Sequence, residues 1–165
     1  MKQQPLISVQ NIKKYFNVGD GMLKAVDGIS FDIYPGETFG LVGESGCGKS
    51  TAGRTIMRLY EPTEGKLLFK GDNVYTLSKK EMQTIRKNFQ MIFQDPYACL
   101  NPKMNVEDIV AEPLDIHGIC KNRRERHEKV VALLELVGLG NEHARRFPHE
   151  FSGGQRQRAL IAMAL

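Results

Sequence analysis

The sequence predicts an α/β fold that contains a glycine-rich loop and is followed by a mainly helical segment. Three observations predict it. Apolar and polar residues alternate in the N-terminal part, as they do in half-buried strands. The glycine-rich stretch GESGCGKS (43–50) stands between an apolar run and a helical pattern. After Pro96, apolar residues recur at helical spacing, and the composition, 41% hydrophobic and 25% charged, is that of a globular protein.

The N-terminal elements follow from local patterns. Alternating apolar and polar residues predict strands at LISVQNI and AVDGISFDIYPGE. The short apolar run TFGLVG, which ends in glycine, is typical of a buried central strand, and GKLLFKGDNV and KNFQMIFQ resemble further strands. The segment after the glycine-rich stretch, KSTAGRTIMRLY (49–60), suits a helix. Strands are therefore predicted at 6–12, 25–37, 38–43, 65–74 and 87–94.

The C-terminal segments are predicted to be helical at 106–119 and 123–140. In the second, Val130, Leu133, Leu134 and Val137 fall on one face, and Gly138 and Gly140 supply stop signals. The basic run KNRRER (121–126) is interpreted as an exposed helix start rather than a nucleic-acid patch, because no aromatic residues are interleaved with it.

Cysteine usage and hydropathy bear on the compartment. The three cysteines, Cys47, Cys99 and Cys120, cannot all pair and lack zinc-ligand spacing. The N-terminus has no apolar signal-peptide core, and no stretch approaches the ~18 apolar residues of a membrane span. We expect a reduced cytoplasmic chain that reaches a membrane only through a partner.

The glycine-rich stretch fits the phosphate-binding pattern G-x-x-x-x-G-K-[ST], in the strand-to-helix context that the pattern needs. Its glycines let successive N–H groups point at phosphate oxygens, and the helix that follows adds the positive end of its dipole. Lys49 is expected to reach the terminal phosphates, and the Ser50 hydroxyl to ligate Mg²⁺. The sequence therefore predicts binding of a nucleoside triphosphate.

A second helix start lies at FSGGQ (151–155). Ser152 is predicted to be a helix N-cap, and Gln155 to complete a capping box with it. Gly153 and Gly154 leave the N–H groups of the first turn bare, which makes a second anion site. A chain with two such sites is able to use one on its own nucleotide and to offer the other to a neighbour.

These motifs resemble those of ATP-binding-cassette (ABC) ATPases. FSGGQRQR is similar to their signature LSGGQ, with Phe151 in place of leucine, and GESGCGKS and FQDP (93–96) stand in the family's order. QDPYACLNPKMNVEDIVAEPL and FPHEFSGGQRQR resemble the oligopeptide and dipeptide importer branch. The resemblance implies a P-loop NTPase fold, with a RecA-like core, an antiparallel β subdomain and a helical subdomain. It implies core residues 1–96, a helical subdomain at 97–152, and the start of the signature helix at 153–165.

The resemblance also implies individual roles. Phe16 matches the aromatic residue that stacks on adenine, with Tyr15 as the adjacent candidate. Gln94 matches the Q-loop glutamine, whose amide oxygen reaches Mg²⁺ and the attacking water. Gln94 and Lys49 are thereby the implied catalytic residues, and Ser50 and Gln94 the implied metal ligands. The nucleotide-binding loop comprises Gly43, Glu44, Ser45, Gly46, Cys47, Gly48, Lys49, Ser50 and Thr51. The signature residues, which act on nucleotide bound to the partner, are Ser152, Gly153, Gly154 and Gln155.

The function implied is that of an ATP-binding subunit of an importer for oligopeptides or dipeptides, with ATP and Mg²⁺ as cofactors. The implied partners are a second ATPase subunit, identical or different, in a head-to-tail pair, integral membrane permease subunits and, indirectly, an extracytoplasmic solute-binding protein. No nucleic acid is expected. The implied location is peripheral, at the cytoplasmic face of the cell membrane. Tyr97, Leu100 and Met104 are predicted to face the permease, or else to pack the joint between subdomains.

The family's apolar strand ending in Asp-Glu is not found in these residues, and Asp95 is a poor substitute. We therefore expect a truncated chain that binds ATP without turnover. Three alternatives remain at this stage. They are a soluble cassette ATPase without a permease, a P-loop kinase, which would have no use for SGGQ, and a non-catalytic nucleotide-binding fragment.

Overall fold

The structure is a computed structural model that describes residues 4–19 and 21–165. By contacts between residues the chain divides into two compact units, residues 1–89 and 90–165. Among the described residues, the first unit holds a sheet and two α-helices, and the second holds four α-helices. The boundaries predicted after residues 96 and 152 remain predictions about the family's subdomains.

The first unit is built on a four-stranded antiparallel sheet in the order β2-β1-β3-β4. The strands are β1 (Ile7–Val18), β2 (Gly21–Ile33), β3 (Glu64–Phe69) and β4 (Asp72–Asn73). They confirm strands at the predicted segments 6–12 and 25–37, although β2 ends at Ile33. The strand predicted at 65–74 is instead two strands, β3 and β4, separated by a turn at residues 70–71. Alternate residues of β1 and β3, among them Val9 and Leu67, point into a core that α1 (Lys49–Ile56) and α2 (Lys79–Ile85) also line.

The pairing of β1 with β2 is interrupted three times by shifts of register. The last shift lies between Lys14 and Tyr15, which is where the aromatic residues of β1 begin. A bulge of this kind turns the side chains that follow it and strengthens the local twist. It therefore decides what Tyr15 and Phe16 contact.

The predicted strands at 38–43 and 87–94 are wrong for the described residues. Residues 37–44 form no ladder, and residues 86–88 are a 3₁₀ turn that leads into irregular chain. A strand exists through hydrogen bonds to a neighbour, and no described residue pairs with either segment. Val42 is 90% exposed as a result.

The second unit consists of α3 (Pro96–Cys99), α4 (Val106–Ile116), α5 (Arg123–Leu136) and α6 (Gly153–Ala164). The predicted face of α5 is confirmed, since Val130 and Leu134 are buried and Leu133 and Val137 pack against the same cluster. Gly138, with φ of 73°, follows the end of α5 as a C-terminal stop. By contrast, Gly140 has φ of −79° and opens the next 3₁₀ turn.

An ion-pair network joins α4 and α5. Arg126 lies 2.9 Å from Asp108 and 3.0 Å from Asp115, and His127 contacts Glu107 at 3.0 Å. Bonds to Asp108 and Asp115 raise the pKa of Arg126 despite its partial desolvation. The basic run at 121–126 thus supplies the predicted helix start and, through Arg126, an intramolecular ion-pair partner.

Candidate functional site

The phosphate-binding loop runs from Gly43 into the first turn of α1. Gly48 is the residue before the helix, and its φ of 93° and ψ of 4° turn the chain so that α1 begins at Lys49. Gly48 has no side chain to cap the helix, and the first turn holds no acidic residue. The first N–H groups of a helix have no intrahelical acceptor, so this end is suited to an anion.

Gly48 also allows the loop to approach the sheet closely. A Cβ atom at this position would lie 2.1 Å from the carbonyl oxygen of Ala25 on β2. No side chain fits there, so a glycine is required by contact as well as by conformation. Gly48 therefore lets the loop pack against β2, a contact that the sequence pattern does not reveal.

Lys49 lies back across the loop. Its Nζ atom donates to the carbonyl oxygen of Gly43 at 2.8 Å and to that of Glu44, and it lies 3.5 Å from the Cys47 sulfur. These contacts hold the ammonium group over the residues whose N–H groups are expected to receive phosphate. Its position fits the predicted role of a point charge for phosphate oxygens.

A cleft of about 310 Å³ opens beside this loop. Cys47, Gly48 and Lys49 line one side of it. Lys24, Ala25, Val26, Asp27 and Ile29 of β2, together with Leu41, Val42 and Ala52, line the rest. None of these β2 residues was predicted from the sequence, because no local pattern marks which residues of a strand will face a distant loop.

Tyr15 and Phe16 lie in different surroundings. The Tyr15 hydroxyl donates to Asp27, and Lys24 lies 5.4 Å above its ring, so Tyr15 contacts two residues that line the cleft. The hydrogen bond to Asp27 raises the pKa of the Tyr15 phenol and lowers that of the Asp27 carboxyl. Asp27 therefore stays ionised beside Lys24 at neutral pH.

Phe16 instead packs edge-on against Tyr60 at 5.6 Å, and Lys14 lies 4.8 Å above its ring. Neither Lys14 nor Tyr60 lines the cleft. The assignment of adenine stacking to Phe16 stays a prediction. The adjacent candidate, Tyr15, contacts two residues that line the cleft.

The predicted oxygen ligands of Mg²⁺ are Ser50 and Gln94. Ser50 is exposed in the first turn of α1, and its hydroxyl is a hard donor of the kind that Mg²⁺ prefers. Gln94 is exposed in the irregular chain just before α3, in the second unit. Asp95 accepts from the N–H groups of Tyr97 and Ala98 as the N-cap of α3, which fits its exclusion as a catalytic carboxylate.

The second predicted helix start is confirmed. Ser152 caps α6 by accepting from Gln155 N at 3.3 Å, and the Gln155 side-chain oxygen accepts from Ser152 N at 3.0 Å. A Cβ atom at Gly154 would meet nothing within 4 Å, so this turn is open on its outer side. The signature thus presents an uncovered helix N-terminus.

Arg156 connects the signature helix to α3. Its guanidinium carbon lies 4.1 Å from the centre of the Tyr97 ring, and its Nε donates to the Pro148 carbonyl at 2.7 Å. Of the three residues predicted to face a permease, Tyr97 is exposed, whereas Leu100 is buried with Ile109 and Leu160. Met104 packs against that same cluster, so for Leu100 and Met104 the structure favours internal packing.

The family model described as ABC transporter matches residues 26–165. The chain belongs to this family. The oligopeptide transport ATP-binding protein OppF of Bacillus subtilis is 58% identical over 163 residues, which cover 98% of this chain and 53% of OppF. The dipeptide transport ATP-binding protein DppF of Lactococcus lactis is 53% identical over 163 residues, covering 97% and 52%.

Solved structures agree with this membership. The chain superposes with a TM-score of 0.86 on the dimeric bacterial ABC transporter cassette MJ0796, at 30% identity over 96% of this chain and 68% of that one. MJ0796 with bound ADP and phosphate gives the same TM-score at 29% identity. The predicted family and P-loop NTPase fold are confirmed, and this ABC chain spans about half the length of the curated relatives that it matches.

In the part of the chain that the structure describes, no helix has the length and apolar composition needed to cross a bilayer. The three cysteines are free.

Proposed function

We propose that this chain is the ATP-binding portion of an ABC importer subunit that powers the uptake of oligopeptides or dipeptides. The observation that carries the proposal is the geometry of the loop. The start of α1 has no side-chain cap, Lys49 lies over the loop, and Gly48 packs closely against β2. The importer class is supported by relatives that are named as oligopeptide and dipeptide transport ATP-binding proteins.

In this proposal the loop N–H groups and Lys49 hold the triphosphate, and an aromatic residue of β1 stacks on adenine. Ser50 and Gln94 would hold Mg²⁺, which neutralises charge on the phosphates when it is bound. The signature at Ser152–Gln155 contacts nucleotide held by a second ATPase subunit in a head-to-tail pair. Closure of the pair is transmitted to permease subunits at the cytoplasmic face of the membrane, with a solute-binding protein on the other side.

Residues 1–165 by themselves are proposed to bind ATP without turnover. Hydrolysis needs an oriented water and a group to accept its proton in addition to charge neutralisation. Asp27 is engaged by Tyr15 and Lys24, and Asp95 caps α3. Neither carboxylate is free to serve as a general base.

The importer proposal is tested by peptide uptake in cells whose own copy of the gene is deleted. The wild-type gene and a Lys66→Ala control, whose residue is exposed on β3, are expected to restore uptake of a labelled oligopeptide. Lys49→Ala is expected to restore none, because it removes the charge over the loop. Unchanged peptide uptake in the deletion strain would exclude this function.

The adenine contact is tested with two matched variants. Tyr15→Ala and Phe16→Ala each remove one ring from adjacent positions of β1. Loss of a stacking partner is worth about 1–3 kcal/mol for a base, so the residue that stacks is expected to weaken ATP binding about tenfold and the other much less. Calorimetric titration of ATP measures both, and wild-type affinity in both variants would contradict an aromatic contact from β1.

A further inference from the structure

His143 contacts the start of the signature helix α6, through Phe151 and Gln155. It ends the 3₁₀ turn at Asn141–His143, and its side chain is only 14% exposed. Its ring lies 5.6 Å from that of Phe151, the buried residue that stands where the family's signature has leucine. The ring is therefore held in place by packing.

Both ends of the Gln155 amide are committed at this place. The oxygen accepts from the N–H group of Ser152 at 3.0 Å and completes the capping box. The nitrogen lies 3.4 Å from His143 Nε2. An amide nitrogen only donates, so this contact is a hydrogen bond when Nε2 accepts and the ring proton is on Nδ1.

The Nδ1 atom has competing neighbours. The N–H group of Gly140 points at it from 3.0 Å, whereas the Gly140 carbonyl and a Glu142 carboxylate oxygen, each at 3.2 Å, would accept a proton from it. A neutral imidazole has one donor and one acceptor nitrogen. The ring therefore cannot accept from Gly140 and from the Gln155 amide at once, and its tautomer decides which of the two is satisfied.

We propose that His143 is a positioning residue for the signature. With the proton on Nδ1, Nε2 holds the Gln155 amide so that its oxygen caps the Ser152 N–H group. With the proton on Nε2, the amide has to turn over, which places its nitrogen against the Ser152 N–H group and opens the capping box. The proposal rests on the function proposed above, since it concerns the form in which the signature meets the partner's nucleotide.

The test compares two variants of the gene product that carries this chain. His143→Gln keeps an acceptor oxygen near the place of Nε2, and His143→Leu fills similar space without an acceptor. The readout is the ATP-dependent association of the two ATPase subunits. We expect His143→Leu to weaken it about fivefold, the ratio given by the net contribution of one hydrogen bond, and His143→Gln to restore most of it.

A double-mutant cycle separates positioning from packing. If His143 acts through the amide, His143→Leu causes no further loss in a Gln155→Leu background. A packing role would make His143→Gln as defective as His143→Leu, or would leave the loss undiminished in that background. Either result overturns the proposal.

Nitrogen NMR of the His143 ring supplies a readout that does not depend on association. The expected spectrum has a protonated Nδ1 and an unprotonated Nε2, and a ring protonated at Nε2 overturns the proposal. The variant Gly154→Asp tests the proposed function of the signature separately from the proposed role of His143, because it alters the signature at a place where an added Cβ meets no other atom within 4 Å. Wild-type association of Gly154→Asp would overturn the proposed function of the signature itself.

Discussion

Gly48 is a residue of the phosphate-binding loop at which conformation and contact both exclude a side chain. Its φ of 93° lies in the left-handed region, and an added Cβ would lie 2.1 Å from the Ala25 carbonyl oxygen. Gly46 has a φ of 80° but nothing within 4 Å of an added Cβ. An alanine at Gly46 would therefore meet backbone strain alone, whereas an alanine at Gly48 would meet both strain and steric overlap.

Gly48→Ala is expected to destabilise the protein more than Gly46→Ala. The left-handed conformation costs a non-glycine residue roughly 1–2 kcal/mol, and overlap adds about 1–3 kcal/mol at Gly48 alone. Denaturant unfolding of the two variants measures the difference. Equal stabilities would show that the loop is able to move away from β2.

At the residue scale, roles fixed by local sequence could be predicted, and roles fixed by distant contacts could not. Ser152 and Gln155 are three residues apart, so their capping box follows from the sequence alone. Ser78 and Glu81 carry the same pattern and cap α2, a helix that was not predicted. The contact between Gly48 and Ala25 joins residues 23 positions apart, and no periodicity marks it.

At the scale of elements, α5 shows how a predicted apolar face becomes a core. Leu134 is fully buried among α4 and α6 residues, whereas Leu136, two positions on, is 75% exposed. Leu134→Ala is expected to lower the free energy of unfolding by about 2–5 kcal/mol. Leu136→Ala, the matched control, should change it by less than about 0.5 kcal/mol.

Chemical denaturation of these two leucine variants is the measurement. A similar loss for both would mean that α5 does not bury the face that its spacing indicates.

The start of α2 makes stability depend on pH. Ser78 donates to the Glu81 carboxylate from its hydroxyl at 2.6 Å and from its N–H at 2.8 Å, and these bonds lower the pKa of Glu81. A lowered folded-state pKa means that the stabilisation is present above the unfolded pKa, about 4.3, and is lost as pH falls through the folded value.

Glu81→Gln removes this proton-linked step but keeps an acceptor at the same place. Thermal unfolding between pH 6 and pH 3 is therefore expected to show a smaller loss of stability on acidification in the variant than in the wild type. Identical pH profiles would indicate that the bonds to Ser78 form equally well with a protonated carboxyl.

Element types were predicted well where patterns are local and poorly where pairing is needed. The antiparallel strands β1, β2 and β3 alternate visibly, and each has its pairing partner among the described residues, even though β3 lies about 60 positions from β1 in the sequence. The runs at 38–43 and 87–94 are predicted as strands from their apolar composition, and a parallel strand such as the one expected at 38–43 has its partners far along the chain. No described residue pairs with them, and propensity alone does not make a strand.

At the scale of the whole molecule, exposed apolar residues follow from these unpaired segments. Val42 is 90% exposed, and Leu41 beside it is 44% exposed. Unpaired backbone with apolar side chains is a template for pairing between chains. Residues 1–165, expressed by themselves, are therefore expected to self-associate, and the double variant Leu41→Lys with Val42→Lys should do so less.

Light scattering after size-exclusion chromatography measures this self-association. A monodisperse monomer with a cooperative thermal transition, obtained from the unmodified 165 residues, would contradict the expectation.

The central claim is that the loop at Lys49 binds the chain's own ATP while the signature at Gly154 serves nucleotide held by the other subunit. ATP-dependent association of the gene product with its partner subunit, followed by analytical ultracentrifugation, tests it most directly. The account predicts that Lys49→Ala and Gly154→Asp both abolish association, that Lys66→Ala preserves it, and that only Lys49→Ala also loses bound ATP. Wild-type association of Gly154→Asp, or loss of its bound ATP, would contradict the account.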